Sequence, residues 1–382
     1  APMETVTDRT HEIERRATAP LVPPQSLSAP LREMARLVRS KPFEPHPLFR
    51  HGHAQTVLAA LRLPRYAELR RDEPGDWESR LLEVEPGARV LVKCRWQAER
   101  RAAPTLLLLH GLEGSSESLY VRGTARKAFG AGFNVVRMNQ RTCGGTEHLT
   151  PTLYHSGMSS DIHRVFRELA RGERLTRVFL AGYSMSGNMV LRLAGDYGAE
   201  APPELAGVCA VSPSLDLAAC AVAIERRANR LYQWSFMRSL RRRLRRKRRL
   251  HPELYDTRGL RHVRTLRQFD ERFTAPHGGY RDADDYYERT SSLPVIHRIR
   301  VPSLVLHAED DPIVPPEAFR DRAFEENPHV LLVLTPRGGH TAFIARAAEG
   351  EDRRWAENRV VDFCRLLCRA AACGLADAGQ EK

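Results

Sequence analysis

Short apolar runs alternate with amphipathic stretches along this chain from about residue 78 onward. The runs have the composition of buried strands, and the stretches between them repeat apolar residues at helical spacing. Strands that alternate with helices predict an α/β architecture, with a mostly parallel central sheet and helices on both faces. We predict strands at 90–96, 105–111, 133–139, 177–184, 205–213, 303–311 and 330–340, and helices at 118–129, 155–169, 186–196 and 351–373.

Two segments depart from this alternation and indicate how the chain is divided. Residues 1–30 are polar and rich in proline, which predicts an N-terminal arm that is poorly ordered or draped over the surface. Residues 31–382 are predicted to form one domain. Within it, the stretch from about 217 to 300 is helical in pattern, basic and rich in Tyr, Phe and Trp, and we interpret it as a helical cap inserted over one edge of the sheet.

Three polar residues each lie at the C-terminal end of a predicted strand: Ser184 in GYSMSGN, Asp311 in HAEDDPIVP and His340 in RGGHTAF. The carboxyl ends of parallel strands lie along one edge of a sheet, so we expect these side chains to meet there. A serine hydroxyl becomes a useful nucleophile when a histidine takes its proton and a carboxylate orients that histidine. The order serine, acid, histidine is that of the α/β-hydrolase triad, so we predict that these three residues are catalytic.

The residues around the serine fit the sharp turn that presents such a nucleophile. Gly182 is small, as the turn requires, whereas Ser186 stands where a second glycine is usual and Gly187 follows it. The negative oxygen that forms during acyl transfer needs two backbone N–H donors. We predict that Met185, directly after the serine, and Leu112, in the loop HGLEGSS, supply this oxyanion hole.

Other polar residues compete for a place in the site. Asp310 adjoins Asp311, but the position directly before a proline favours Asp311 as the acid, and Asp216 is a weaker third choice. Arg141 follows a predicted strand on the same edge, where it either lines the site or braces its loop through a salt bridge, and we favour the brace. Cys143 has no separate base, so we do not expect it to be a nucleophile.

The formal net charge is +13, and the excess is concentrated in one stretch of the predicted cap. Nine basic residues lie in Arg238–Arg249, around an apolar stripe of Met237, Leu240 and Leu244. Such a helix can lie on an anionic membrane or meet a phosphate backbone. We favour a solvated cap helix neutralised by nearby acidic residues. Because no groove-reading motif is present, no specific nucleic-acid partner is expected.

Hydropathy and cysteine usage narrow the expected location of the chain. It contains no run of about 18 apolar residues and no basic stretch followed by an apolar one near its start, so neither a membrane-spanning helix nor a secretory signal is predicted. The seven cysteines are scattered, and we interpret Cys364, Cys368 and Cys373 as reduced thiols and not as a metal site. We expect a cytoplasmic location, and peripheral contact at the inner membrane surface through the basic segment is the alternative to a solvated cap helix.

Longer segments carry a family resemblance: HGHAQT (51–56), HGLEGSSESLYVRG (110–123), NQRTCGGTEHLTPTLYHSG (139–157), GYSMSGNMVLRLAGDYG (182–198), SPSLDL (212–217), FDERFTAPHGGYRDADDYY (269–287) and EDDP (309–312). Together they resemble the YheT-like α/β-hydrolases, the ABHD-type branch whose animal members act as acylglycerol and phospholipid lipases. The resemblance covers about residues 40–370 and implies ester hydrolysis, with Ser184, Asp311 and His340 matching the family triad. Ser186 replaces a family glycine, and 341–343 reads Thr-Ala-Phe where Val-Gly-Phe is common.

We therefore predict a serine hydrolase that cleaves carboxylic esters of short or medium acyl chains, with acylglycerols or other lipid esters among the candidates. It needs no metal or organic cofactor, because Ser184 forms an acyl-enzyme that water hydrolyses. An acyltransferase that uses the same acyl-enzyme stays open. Two pairs have an acyltransferase-like H-x(4–5)-D spacing, which also arises by chance: His155 with Asp161 and His277 with Asp282. A non-catalytic protein that binds anionic membranes is a third hypothesis, and the oligomeric state is left open.

Overall fold

Eight strands form one sheet in the described part of this computed structural model, which comprises residues 26–60 and 77–373. The strands are β1 (Glu78–Glu85), β2 (Ala88–Arg95), β3 (Thr105–Leu109), β4 (Asn134–Met138), β5 (Val178–Tyr183), β6 (Leu205–Val211), β7 (Ser303–Ala308) and β8 (Val330–Thr335). They lie in the order β1-β2-β4-β3-β5-β6-β7-β8, and the pairings β1–β2 and β2–β4 are antiparallel. The strands from β4 to β8 are mutually parallel, so their carboxyl ends share one edge.

Helices cover both faces of this sheet, as the alternating pattern predicts. They are α1 (Ala29–Ser40), α2 (Gly52–Ala60), α3 (Leu119–Gly130), α4 (Ser159–Gly172), α5 (Met185–Tyr197), α6 (Leu217–Ile224), α7 (Arg230–Leu250), α8 (Leu266–Phe269, a π-helical turn over Asp270–Thr274, then Ala275–His277), α9 (Ala283–Thr290), α10 (Arg322–Glu326) and α11 (Trp355–Ala372). In the described ranges, none of them combines the length and the apolar character needed to cross a bilayer.

The apolar sides of the helices form two cores, one on each face of the sheet. The five residues of β3 are all buried, and successive leucines of this strand face opposite cores. Leu107 and Leu109 pack in the core that contains α4 and α5, whereas Leu106 and Leu108 pack in the core that contains α1, α3 and α11. A strand buried on both faces is apolar at every position, which explains the continuous apolar runs in the sequence.

The chain leaves the sheet between β6 and β7 and forms α6, α7, α8 and α9 there, in the segment predicted as the cap. The predicted stripe of α7 is buried in a third, smaller cluster together with Phe269 and Phe273 of α8. The insertion begins at the carboxyl end of β6, and β5 and β7 are the neighbours of β6 in the sheet, so the insertion lies next to the carboxyl ends of these strands. It therefore stands beside the edge at which the predicted site residues lie.

The predicted fold class is confirmed, and each predicted strand corresponds to one in the structure. The structure adds β1, which was not predicted because Glu78, Arg80, Glu83 and Glu85 interrupt its apolar pattern. Several predicted strands were too long at their C-terminal ends. The run 105–111, for example, continues past Leu109, where the backbone already leaves the sheet.

The predicted boundary of the N-terminal arm needs a correction within the described residues. Residues 1–25 lie outside them, so the expectation for these positions stays a prediction. Leu27, however, is buried in the core that contains α1, and the N–H of Ser28 donates to the carbonyl of Pro328 at 3.3 Å. Because α1 begins at Ala29, the packed part of the domain starts before residue 31.

Candidate active site

Ser184 lies at the tip of a sharp turn between β5 and α5. Its backbone has φ +55° and ψ −119°, a conformation that residues with a side chain rarely adopt. Gly182 permits the turn, because a Cβ at this position would collide with the carbonyl oxygen of Ser186. A strained turn from strand to helix is the device that presents a serine hydroxyl at the edge of an α/β sheet.

Ser186, which stands where a second glycine is usual, is accommodated by two hydrogen bonds. Its side chain is buried, and its hydroxyl donates to the carbonyl oxygen of His110 at 2.5 Å. The same hydroxyl accepts a hydrogen bond from Nε2 of Gln140 at 2.7 Å. The serine thus ties the start of α5 to the loops after β3 and β4, and the turn at Ser184 is kept.

One line of hydrogen bonds joins the three residues singled out by their order in the chain. Oγ of Ser184 lies 2.8 Å from Nε2 of His340, and Nδ1 of His340 lies 2.8 Å from Oδ2 of Asp311. Oδ1 of Asp311 accepts the N–H groups of Ile313 and Val314 at 2.8 and 3.0 Å. Burial alone would raise the pKa of Asp311, but the charge and hydrogen bond of His340 bring the pKa below its ordinary value. The carboxylate is therefore ionised where it meets the imidazole.

The loop that carries His340 is fastened to the segment around α2. The backbone N–H of His340 donates to Oγ1 of Thr56 at 2.8 Å, and the Thr56 hydroxyl donates to the carbonyl of Gly52 at 2.8 Å. Gln55 holds the same loop twice, because it donates to the carbonyl of Ile344 at 3.0 Å and accepts the N–H of Ile344 at 2.7 Å. These positions were not among the predicted site residues. The one signal for them was the polar segment HGHAQT outside the alternating region.

The carboxylates that competed with Asp311 have other partners. Asp310 accepts the N–H of Gly339 at 2.9 Å, so it supports the loop before His340 without contacting the imidazole. Asp216 accepts the N–H of Ala219 at 2.9 Å and caps the start of α6. Of the three candidates, Asp311 is the one bonded to His340.

A narrow cavity of about 80 Å³ opens at Ser184. Leu112 and Met185, the predicted oxyanion donors, both line it beside the serine. Met185 is the first residue of α5, so its N–H has no acceptor within the helix. Gly111 lets the loop after β3 approach closely, since a Cβ there would lie 3.0 Å from Cβ of Ser184. Leu112 and Met185 therefore both border the cavity at Ser184.

Comparison of this chain with known proteins shows the family to which it belongs. A family model described as the alpha/beta hydrolase fold matches residues 104–347. The chain belongs to the α/β-hydrolase family. It is 32% identical over 339 residues to the Escherichia coli K12 protein named "Putative esterase YheT", and the match covers 87% of this chain and 96% of that protein. The resemblance to the YheT-like branch is thereby confirmed.

This α/β-hydrolase is also similar to eukaryotic relatives, of which it spans about three fifths. It is 31% identical over 242 residues to mouse phospholipase ABHD3, with 63% of this chain and 58% of that protein covered. It is 30% identical over 276 residues to the monoacylglycerol lipase of Saccharomyces cerevisiae, with 70% and 60% covered. Among solved structures, an esterase of Pyrococcus furiosus shares the fold with a TM-score of 0.52 at 17% identity, over 78% of this chain and 92% of that one.

Two further residues that we singled out from the sequence of this α/β-hydrolase, Arg141 and Cys143, lie in the loop after β4. Arg141 donates to both carboxylate oxygens of Asp161 at 2.6 Å and also pairs with Glu85, so it braces the loop as we favoured. Cys143 is fully buried, and burial raises the pKa of its thiol to about 12. A thiol that stays protonated is a poor nucleophile.

In the described part of the chain, neither of the two acyltransferase-like pairs forms a hydrogen bond between its His and its Asp. Asp161 is held by Arg141, while Nδ1 of His155 accepts the N–H of Gly157 at 3.1 Å. Asp282 caps α9 by accepting the N–H of Asp285 at 2.8 Å, and the ring of His277 packs on that of Tyr255 with centroids 4.6 Å apart. The His and the Asp of each pair therefore have separate local partners, and their spacing does not mark a catalytic pair.

Only some of the basic side chains of helix α7 are exposed to solvent. Arg243 is buried and donates to Oε1 of Glu113 at 2.9 Å, and it also bonds the backbone oxygen of Thr142. Lys247 is buried as well and donates to the carbonyl of Glu147 at 3.1 Å, and burial lowers its pKa to about 8. These two side chains fasten the cap to loops at the sheet edge. The exposed arginines of the segment are Arg238, Arg242, Arg245, Arg246, Arg248 and Arg249.

Proposed function

We propose that this chain is a serine hydrolase of carboxylic esters in which Ser184 is the nucleophile, His340 the base and Asp311 the residue that orients the base. The observation that carries the proposal is the pair of 2.8 Å hydrogen bonds that link these three side chains. A serine that served only as a helix cap would bond the first turn of α5, whereas Ser184 makes no such side-chain bond. Its hydroxyl is directed to a histidine instead.

The hydrogen bonds define how the proton moves. As Oγ of Ser184 attacks the ester carbonyl carbon, Nε2 of His340 takes the hydroxyl proton, and the ionised Asp311 stabilises the imidazolium through Nδ1–H. His340 then gives this proton to the alcohol oxygen as the C–O bond breaks, which leaves an acyl-enzyme. A water molecule, deprotonated by the same imidazole, attacks the acyl-enzyme, releases the acid and restores the serine.

The backbone around the serine supports stabilisation of the negative oxygen. The N–H of Met185 lies at the positive end of α5, and Leu112, in the loop after β3, lines the same cavity at Ser184. Donors of this kind typically lower the barrier by about 3 kcal/mol each. Leu112 and Met185 are therefore proposed as the oxyanion hole.

The cavity at Ser184 favours esters of short or medium acyl chains. Apolar side chains form much of its cap-side wall, and they include Leu217, Ala221, Ile224 and Phe236. Its volume of about 80 Å³ is well below the roughly 300 Å³ of a typical small-molecule site. A long acyl chain would therefore require these side chains to rearrange. Acylglycerols and other lipid esters are proposed as substrates, which the names of the two eukaryotic relatives support.

The outer side of the cap supports a second element of the proposal, contact with an anionic lipid surface. Leu231 is 77% exposed and Trp234 is 61% exposed, and both precede the exposed arginines on the same helix. Apolar side chains beside basic ones are typical of helices that lie on anionic membranes, where each basic residue adds about 1 kcal/mol. Such contact would bring the proposed site to lipid esters.

Hydrolysis of p-nitrophenyl acetate, butyrate and octanoate tests the proposed activity. We expect wild-type protein to cleave these esters, and Ser184→Ala and His340→Ala to lose about 10³-fold or more in kcat. The matched control is Ser235→Ala, which changes an exposed serine of α7 and should keep the wild-type rate. Wild-type activity in Ser184→Ala would contradict the assignment of the nucleophile.

A further inference from the structure

Asp270 is a buried carboxylate of the cap that the proposed reaction does not use. It is 7% exposed and begins the π-helical turn of α8. It lines the cavity at Ser184 and also a second, smaller cavity, and Leu112 and Met185 are walls of both. Single π-helical turns are rare in proteins and are frequent at functional sites. An acid is thus presented at the boundary between the cavity at Ser184 and a second cavity that shares part of its lining.

Both oxygens of Asp270 accept hydrogen bonds from neutral hydroxyl groups. Thr274 donates to Oδ1 at 2.6 Å, and the Tyr287 hydroxyl donates to Oδ2 at 2.8 Å. Within residues 26–60 and 77–373, no Lys, Arg or His forms an ion pair with this carboxylate, and burial raises its pKa to about 6. A carboxylate offers about four acceptor positions, so about two stay available.

A purely structural role does not require an acid at this position. An amide or a hydroxyl could tie α8 to Tyr287 with a smaller desolvation penalty, because burying an unpaired charge is much costlier than burying a neutral polar group. The acid is explained if its remaining acceptor positions meet a hydrogen-bond donor that arrives with the substrate. Its place on the wall of the Ser184 cavity puts it within reach of such a ligand.

We propose that Asp270 accepts a hydrogen bond from a hydroxyl group of the ester substrate, and so selects hydroxylated esters over hydroxyl-free esters of the same size. This inference rests on the proposed function. A neutral hydroxyl fits the site better than an ammonium group, because the cavity at Ser184 is otherwise lined mainly by apolar side chains, where burying a charge is costly. The hydroxyl can belong to the alcohol half or to the acyl half of the ester.

Two pairs of esters test the inference and distinguish these halves. In the first pair, 1-monobutyroylglycerol is compared with propyl butyrate, and in the second, ethyl 3-hydroxybutyrate is compared with ethyl butyrate. We expect wild type to prefer the hydroxylated ester in one pair by at least about tenfold in kcat/KM, and Asp270→Ala to abolish that preference. The hydroxyl-free ester should change by less than about twofold. The pair that shows the preference identifies the half that carries the hydroxyl.

Control variants keep the test decisive. Asp270→Asn preserves the side-chain volume and should retain part of the preference, which guards against misfolding of the alanine variant. Asp284→Asn makes the same change at an exposed position of α9 and should leave the preference intact. A wild type without preference in either pair, or an equal loss on both members of a pair, would overturn the inference. Labelling of Ser184 by a fluorophosphonate should persist in the Asp270 variants. A wild type that neither labels nor cleaves any of the esters would overturn the proposed function as well.

Discussion

The backbone N–H of His340 donates a 2.8 Å hydrogen bond to Oγ1 of Thr56, a residue 284 positions earlier in the chain. Oγ1 is itself fixed, because its hydroxyl donates to the carbonyl of Gly52 at 2.8 Å within the first turn of α2. The position of the imidazole at Ser184 therefore depends on a helix outside the alternating strands and helices.

Replacing Thr56 by valine keeps the shape of the side chain and removes the acceptor. We expect kcat on p-nitrophenyl butyrate to fall about tenfold or more, because a buried N–H without an acceptor costs about 1–3 kcal/mol and the imidazole shifts from Ser184. Fluorophosphonate labelling, measured below the unfolding transition, should slow by a similar factor. Thr56→Ser restores the acceptor and should restore both rates. Equal rates in the valine and serine variants would contradict a positioning role for Thr56.

The two adjacent acids are expected to respond very differently to the same substitution. Asp311→Asn should lower kcat by about 10⁴-fold, because an amide no longer fixes the tautomer of His340 or stabilises its charged form. Asp310→Asn keeps an oxygen that can accept the N–H of Gly339, so we expect a loss of about tenfold at most. Steady-state kinetics on one soluble ester measures both. A larger loss for Asp310→Asn would reverse the assignment.

Three buried histidines predict that the fold weakens in mild acid. Burial lowers the pKa of His110, His155 and His307 to about 4, from an ordinary value of 6.5. Between these values the unfolded chain binds more protons than the folded one, so their contribution to stability is complete above pH 6.5 and falls as the pH drops toward 4. Asp270, whose pKa burial raises to about 6, acts in the opposite sense, as do Asp161, Asp310 and Glu357, whose pKa values burial also raises. Burial likewise lowers the pKa of His53, His163, His277 and His329, so the histidines outnumber these acids. The midpoint of thermal unfolding should therefore decrease from pH 8 to pH 5.

A substitution at His307 checks this origin of the pH dependence. Its ring stacks on Phe319 with centroids 3.7 Å apart, so His307→Phe keeps an aromatic ring in place and removes one titrating group. We expect the pH dependence of the unfolding midpoint to become shallower in this variant. An unchanged slope would show that His307 is not protonated on unfolding in this range.

The exposed arginines of α7 are expected to matter at an interface and not in solution. Changing Arg238, Arg242, Arg245 and Arg249 to glutamine should weaken hydrolysis of a butyrate ester held in anionic vesicles severalfold or more, and the loss should shrink at high salt. Hydrolysis of soluble p-nitrophenyl butyrate should be spared. The inward Arg243 provides the contrast, since Arg243→Gln removes its bond to Glu113 and should lower thermal stability. Equal loss of the quadruple variant on both substrates would indicate a folding role.

Most of the sheet could be predicted well because the strands from β3 to β8 are almost wholly buried on both faces. Their apolar runs are unbroken, and the polar residues that follow them fall at one edge by topology alone. For this reason the amino-acid sequence was sufficient to predict that Ser184, Asp311 and His340 lie together. The edge strand β1 escaped prediction, because one side of an edge strand can be charged without loss of packing.

The supports of the site could not be predicted, because they are long-range contacts of single polar atoms. No periodicity relates Thr56 to His340, and no local pattern shows that Ser186 bonds the backbone of His110. The apolar stripe of α7 predicted the buried face of that helix but not the burial of Arg243 and Lys247. Burying such a charged side chain is costly unless hydrogen-bond acceptors from other loops pair with it, and those acceptors are distant in the sequence.

The most direct test of the account is labelling with a fluorophosphonate, followed by mass spectrometry of the labelled peptide. The reagent phosphonylates a serine whose hydroxyl is activated by a base. We predict one labelled residue, Ser184, with no label in Ser184→Ala and undiminished label in Ser235→Ala. Folded wild-type protein that stays unlabelled, or carries the label on another residue, would contradict the central claim that Ser184 is an activated nucleophile.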